Sequence, residues 1–218
     1  MNRLIFHGGE PLLIGVDAFE SVSKRAQDVL GTYLHSLCIQ TNAMLVDDAW
    51  IRVFGTYHVD VGVSMDGPAA MHDVFRVDHK GQGSHAVTLR GFRTLRDTGF
   101  DPAVLCVIDP VRSGLAAYKF FLDIGARRID FLFPDCTHDT IAQRYPLDRP
   151  TPVADFLVPV FDAWFEEDDP TIRVEIFAQI LALLCGSSRV FDPFGTTPLG
   201  HIAVETDGAI HSLDVLRI

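Results

Sequence analysis

Short apolar runs alternate along this chain with longer segments in which apolar residues recur every three or four positions. Leu4-Ile5-Phe6 closes the first short run, so residues 3–6 read as a strand. Phe19, Val22, Ala26, Val29, Leu30 and Tyr33 share one helical face and predict a helix over 17–34. A second strand is expected over 36–41, followed by a short helix around 44–53 and a third strand over 59–64. After a polar loop from His72 to Gly83, Ser84 is placed to cap a helix over 85–98, and Gly99 to stop it. Residues 102–108 make a fourth strand, Ala117, Phe120, Phe121 and Ile124 mark another helix, and 128–133 a fifth strand.

Strands that alternate with helices imply an α/β fold with a parallel sheet, either open or curled into a barrel. The pattern changes after Tyr145. Pro146, Pro150 and Pro152 mark a linker, and Val153, Phe156, Leu157, Val160, Phe161, Trp164 and Phe165 form a helical stripe interrupted by Pro159. Glu166 to Asp169 put acids at that helix's C-terminus, against its dipole, so this end is expected to fray. A further helix is expected over 172–185. A loop at 186–200 then leads to a hairpin turned at Asp207-Gly208. The expected divisions are a sheet-and-helix domain over 1–145, a helical segment over 146–200 and the hairpin region over 201–218.

Composition narrows the function classes. With 48% hydrophobic residues in 218, the chain can build a sizeable core and is not a disordered segment. A formal net charge of -11 lacks the basic surplus of a nucleic-acid binder. The longest apolar run, Ile176 to Cys185, is about half of a membrane span and carries Gln179. No signal-peptide pattern opens the chain, so the cytoplasm is the expected location. The four cysteines, Cys38, Cys106, Cys136 and Cys185, show no CxxC spacing, and the nine histidines show no HExxH or other paired metal spacing, so no metal site is expected from either.

The chemistry-bearing stretch is Phe6-His7-Gly8-Gly9-Glu10-Pro11. Two glycines at a strand end let the backbone approach a ligand, Pro11 fixes the exit direction, and Glu10 adds a carboxylate there. In barrels of strand–helix units, ligands bind outside the C-terminal ends of the strands. Asn42, at the end of the second strand, and Ser64 and Asp66, at the end of the third, share that position. Either residue type also caps the next helix, and the two roles are compatible. Adjacent His72-Asp73 reads as a brace for the loop after Asp66 rather than a dyad. Asp135 and His138-Asp139, after the fifth strand, supply either a general base or a polar loop.

In kind and order, GGEP, Gln40-Thr41-Asn42 and SMDGP with His72-Asp73 and Arg76 resemble the radical S-adenosylmethionine (SAM) enzymes. The run SMDGPAAMHDVFRVDHKGQGSH resembles the subgroup with a SPASM extension. Leu132-Phe133-Pro134-Asp135, Thr137-His138-Asp139 and the VETDGAI hairpin look like its cyclophane-forming peptide maturases. The resemblance implies a partial (β/α)6 barrel, S-adenosylmethionine (AdoMet) and a four-iron, four-sulfur cluster held by CxxxCxxC. It also implies 5′-deoxyadenosyl-radical chemistry that cross-links side chains of a ribosomal precursor peptide. It assigns Gly8, Gly9 and Glu10 to the methionine amino group, Asn42, Ser64 and Asp66 to the methionyl and ribose groups, and Arg76 to the carboxylate. No individual catalytic residue follows from it.

CxxxCxxC is missing from these 218 residues. The strand at Arg3 matches the family's second strand, so the fold expected is an incomplete barrel lacking its first strand, with the SPASM region cut short. An inactive fragment completed by a missing N-terminal piece is one expectation, and a cluster-less peptide- or partner-binding module is another. An unrelated α/β enzyme using Glu10, Asp66 or Asp135 as acid or base is a third.

Overall fold

The computed structural model describes residues 2–135, 140, 151–187, 200 and 202–211. Six strands form one wholly parallel sheet in chain order: β1 (Asn2–Phe6), β2 (Leu34–Thr41), β3 (Asp60–Ser64), β4 (Ala103–Val107), β5 (Arg128–Leu132) and β6 (Arg173–Val174). Helices α1 (Val16–Leu30), α2 (Asp48–Tyr57), α3 (Ala69–His72), α4 (His85–Asp97), α5 (Gly114–Asp123) and α6 (Pro152–Glu167) fill the crossovers. The chain divides into two compact units, residues 1–176 and 177–218. The second contains most of α7 (Glu175–Leu184) and the two-stranded antiparallel hairpin of β7 (Ala203–Val204) and β8 (Ile210–His211). The expected linker at 146–150 lies outside the described residues, as does His201 at the expected start of the hairpin region.

Each strand alternates between two faces, and only one is sealed by helices. Leu37, Ile39 and Thr41 on β2, Val61 and Val63 on β3, Val104 and Cys106 on β4, and Ile129 and Phe131 on β5 are buried on that face. Two aromatic clusters knit it to the helices. Phe19 of α1 meets Phe6, Trp50 and Phe54, with Phe6 at 4.5 Å between ring centroids. Phe131 links Phe121 of α5 to Phe156 of α6. Aromatic pairs of this kind contribute about 0.5–1.5 kcal/mol beyond the area they bury. The other, open face carries Cys38, Gln40, Ser64, Leu105 and Asp130, all half-buried.

The structure shifts several sequence-based expectations. The helix expected at 44–53 runs from Asp48 to Tyr57, because Asp47 accepts hydrogen bonds from the Ala49 and Trp50 amides and sets the start there. Ser84 does not cap α4 with its side chain; its hydroxyl is turned to Arg76 and His72. The helix expected at 172–185 is preceded by a strand, β6, whose two residues are too few to show an alternating pattern. The acidic end of α6 is fastened by the buried Tyr118, whose hydroxyl donates to Glu167 at 2.8 Å. No described helix is long and apolar enough to cross a membrane.

Candidate functional site

At the end of β1 the backbone turns through Gly8 and Gly9, with φ of +85° and +50°. Such angles strain any residue with a Cβ. A Cβ added to either glycine would meet nothing within 4 Å, so the turn faces open space. Glu10 follows, and its carboxylate works mainly for the fold. Its Oε1 accepts from the Leu12 amide at 3.0 Å and from the Thr41 hydroxyl at 2.6 Å, while Oε2 accepts from the Asn42 amide at 2.8 Å. A carboxylate offers about four acceptor positions, and three of Glu10's are taken: two fasten the end of β1 to the end of β2, and one caps the turn at Leu12.

The end of β2 is shaped just as closely. Thr41 Oγ1 accepts from the Ala43 amide, and Asn42 Oδ1 accepts from the Met44 amide at 2.9 Å. Ala43 has φ +57°, a strained conformation for a residue with a side chain. It is held there by α4, where Gly91 lets the Ala43 carbonyl approach the helix more closely than any Cβ would permit. The side-chain nitrogen of Asn42 has no partner among the described residues.

On β3, Ser64 Oγ accepts from Gln40 Nε2 at 2.8 Å, and Gly62 beneath them leaves the space that the Gln40 side chain fills. Asp66 and Arg76 face each other in a two-point ion pair, and Asp66 Oδ1 also accepts from the Val107 amide at 3.0 Å. Asp66 thereby ties the end of β3 to the end of β4 and aims Arg76.

The brace expected of His72-Asp73 is present. The Asp66 amide donates to His72 Nδ1 at 3.3 Å, His72 Nε2 lies 3.0 Å from Ser84 Oγ, and that hydroxyl donates to the Arg76 carbonyl. Since the serine hydroxyl is committed to Arg76, His72 donates from Nε2 and accepts at Nδ1, which is the neutral ring. Burial accordingly lowers its pKa from 6.5 to about 4. Asp73 accepts from the His85 amide at 2.8 Å.

The candidates drawn from the sequence thus gather along one edge. Gly8 and Gly9, Asn42 and Ser64 sit at the C-terminal ends of three consecutive strands, with the Asp66–Arg76 pair beside the third and fourth. Sequence reasoning named Gln40 within its motif but gave it no role, although it alternates with Ile39 and Thr41 and so points to Ser64's face; it missed Asp130, the lone acid within β5. Asp135 is exposed, and Cys136 and His138-Asp139 lie outside the described residues. A cavity lies at the opposite end of the sheet. Its roughly 380 Å³ is lined by His58, Phe100, Asp101 and the Asp60–Arg128 ion pair among others.

AdoMet and an iron–sulfur cluster, the groups the resemblance implies, fit these residues differently. The open glycine turn and the unpartnered Asn42 amide suit a polar, zwitterionic ligand such as AdoMet. Among the described residues the cysteines do not fit a cluster: Cys38 is on β2, Cys106 is buried on β4 with its thiol pKa pushed up by desolvation, and Cys185 is exposed just after α7. Among the described residues no three His, Cys, Asp or Glu side chains are grouped to hold a metal ion.

No family model matches the chain. A cysteine-type anaerobic sulfatase-maturating enzyme from Clostridium perfringens is 26% identical over 220 aligned positions, covering 96% of this chain and 58% of that protein. A serine-type counterpart from Klebsiella aerogenes is 27% identical over 210, covering 88% and 52%. Among solved structures, native anSMEcpe with bound AdoMet superposes with a TM-score of 0.85 at 24% identity, over 99% of this chain and 60% of that one. Streptococcus suis SuiB reaches 0.52 at 13%, over 79% of this chain and 38% of that one. The chain therefore spans a little over half the length of its sulfatase-maturating relatives. It is similar over most of its length to the anaerobic sulfatase-maturating enzymes, and it shares the fold of anSMEcpe.

Proposed function

We propose that this chain forms the AdoMet-binding part of a radical SAM enzyme that modifies a peptide or protein. The observation that carries the reading is the strand-end row of Gly8, Gly9, Asn42 and Ser64. It combines open backbone and an unpartnered amide in a fold that anSMEcpe shares and in which anSMEcpe holds AdoMet. The Gly8-Gly9 backbone and the remaining lone pair of Glu10 receive the methionine ammonium group. The Asn42 amide nitrogen donates to the methionyl carboxylate, with the unpaired Nη1 side of Arg76 as a second donor. Ser64, whose hydroxyl proton is free because Gln40 donates to its oxygen, meets the ribose, and Asp66 holds Arg76 in place.

When bound, AdoMet supplies a sulfonium whose carbon–sulfur bond opens on one-electron reduction; these residues include no electron donor for that step. What this chain's residues do is bind and orient. The substrate is a ribosomally made precursor peptide, and the reaction is cross-linking of its side chains. The motif order through SMDGPAAMHDVFRVDHKGQGSH supports the peptide, as does anSMEcpe having been solved with bound Kp18Cys peptide.

A second reading is favoured by one observation, the lack of CxxxCxxC within these 218 residues. It takes the chain as a cluster-less module that binds a peptide or a partner. Two measurements on the 218-residue chain separate the possibilities. Isothermal titration is expected to show one AdoMet bound per chain, with affinity falling about tenfold in Asn42→Leu as a hydrogen bond to a charged group is lost. No AdoMet binding together with micromolar peptide binding would favour the module instead. Reconstitution with iron and sulfide is expected to yield no cluster, and a stoichiometric cluster would overturn that part of the account.

A further inference from the structure

The β1 edge of the sheet is open. β1 pairs with β2 on one side, and no described strand pairs with it on the other. An open edge strand presents unpaired backbone groups to any extended chain, and parallel sheets are ordinarily covered. β1 has few of the usual protections: it holds no proline, its one charge is Arg3, and Ile5 is 54% exposed.

The helix beside this edge has an uncovered flank of its own. α1 turns Phe19 into the core and Glu20 toward α2, where the Tyr57 hydroxyl meets the Glu20 carboxylate at 3.4 Å. Val22 and Val29 lie about half a turn around the helix from Glu20. They therefore face away from α2, on the side of β1. They are 43% and 60% exposed, and with Arg25, Ala26 and Leu30 they line a shallow groove of about 490 Å³. Ile14, in the turn just before α1, is exposed as well. Monomers rarely leave contiguous apolar surface of this kind uncovered.

The spacing of these residues bears on what covers them. Ile14 stands eight residues before Val22 and Val29 seven after it, so the exposed apolar positions are nearly symmetric about Val22. Phe19 packs on Phe6, which puts Val22, three residues further along α1, about level with the middle of β1 at Leu4. A two-fold axis through Leu4 and Val22, perpendicular to the sheet, satisfies both features at once. It sets β1 antiparallel to β1 of a second copy, Val22 against Val22, and Val29 against Ile14. Self-complementarity under rotation is the requirement of an isologous dimer, and an unlike chain would need no such symmetry. Arg25, the one charge in the groove, is three residues off the axis. The two guanidiniums are then about 9 Å apart along the helices, exposed and screened by salt.

We propose that this face is a homodimer interface, which joins two copies into one continuous sheet through β1 and packs α1 on α1. The dimer does not depend on AdoMet binding. The two-fold reverses the strands of the second copy, so the two Gly8-Gly9 turns lie at opposite edges of the joined sheet.

Sedimentation equilibrium of the 218-residue chain tests it. Wild type is expected to dimerise reversibly at tens of micromolar. Val22→Glu and Val22→Lys each set like charges against each other at the axis and should weaken the dimer by about tenfold or more. An equimolar mixture of the two variants should restore it, because opposite charges rescue only a residue that faces its own counterpart. Circular dichroism of each variant is expected to match wild type, since Val22 is exposed. A wild type that stays monomeric at hundreds of micromolar overturns the proposal and leaves this face to an unlike chain. A dimer that neither variant weakens overturns it too, as does a mixture of folded variants that fails to restore dimerisation.

Discussion

Glu10 changes most between sequence and structure. In the sequence it is the charged member of a glycine turn and so a ligand contact. In the structure two of its hydrogen bonds join two strand ends and a third caps the turn at Leu12, and the open part of the turn is glycine backbone. Removing it should therefore cost stability as well as binding. Glu10→Ala leaves the Thr41 hydroxyl and the Leu12 and Asn42 amides without their acceptor. A loss of about 2–3 kcal/mol is expected by urea unfolding, given the penalty for half-buried donors left unpaired. An unchanged urea midpoint would show that water replaces the carboxylate.

His72 makes a second prediction at this scale. Its folded pKa of about 4 lies below its ordinary 6.5. The unfolded chain thus takes up the proton more readily, and stability is complete above pH 6.5, then lost as pH falls toward 4. Asp130, raised from 3.8 to about 6, acts in the opposite sense: its contribution is present below pH 3.8 and lost as pH rises through 6. The two are separable. His72→Gln should flatten the loss of the urea midpoint as pH falls from 6.5 to 4, whereas Asp130→Asn should flatten the opposite loss as pH rises from 3.8 to 6. A parallel pH profile for wild type and His72→Gln would show that the ring is not held neutral by its burial.

Among the elements, those with strong periodicity were legible and those set by local capping or by pairing were not. The stripe from Phe19 to Leu30 foretold α1 by its periodicity, although of its apolar residues only Phe19 is buried and Val22, Val29 and Leu30 are exposed. The start of α2 was misplaced by four residues because the Asp47 cap, not the apolar pattern, decides it. β6 was invisible because a two-residue strand exists only through pairing with β5. The site shows the same divide. Gly8, Gly9, Asn42 and Ser64 were readable as strand ends, whereas the bonding of Asp66 to Arg76 and Val107 depends on how distant segments meet.

The contact of α4 with the turn after β2 belongs to this scale too. Gly91 lets the Ala43 carbonyl pack against the helix, which holds the strained residue next to Asn42. Gly91→Ala should push that turn outward, costing about 1–3 kcal/mol in the thermal or urea midpoint. It should also weaken AdoMet binding although it touches no ligand. A variant of full stability and affinity would mean that the turn is positioned by Thr41 and Asn42 alone.

At the scale of the whole molecule, the parallel order of six strands turns scattered motifs into one row. Sequence spacing scatters Gly9, Asn42 and Ser64 along the chain, while the parallel order puts them at the ends of three successive strands. Each strand leaves the core in the same direction, so all of its ends deliver backbone and polar side chains to one edge, as in other strand–helix barrels. The sheet also has a cavity at its opposite edge, around His58, Phe100 and the Asp60–Arg128 pair. The two edges make rival predictions for where a ligand goes. Backbone amide chemical shifts of the 15N-labelled chain during an AdoMet titration decide between them most directly. The account predicts saturable shifts at Gly8, Gly9, Asn42 and Ser64, with His58, Gly99 and Arg128 unmoved. Shifts confined to the His58 and Arg128 edge, or none up to millimolar AdoMet, would contradict it.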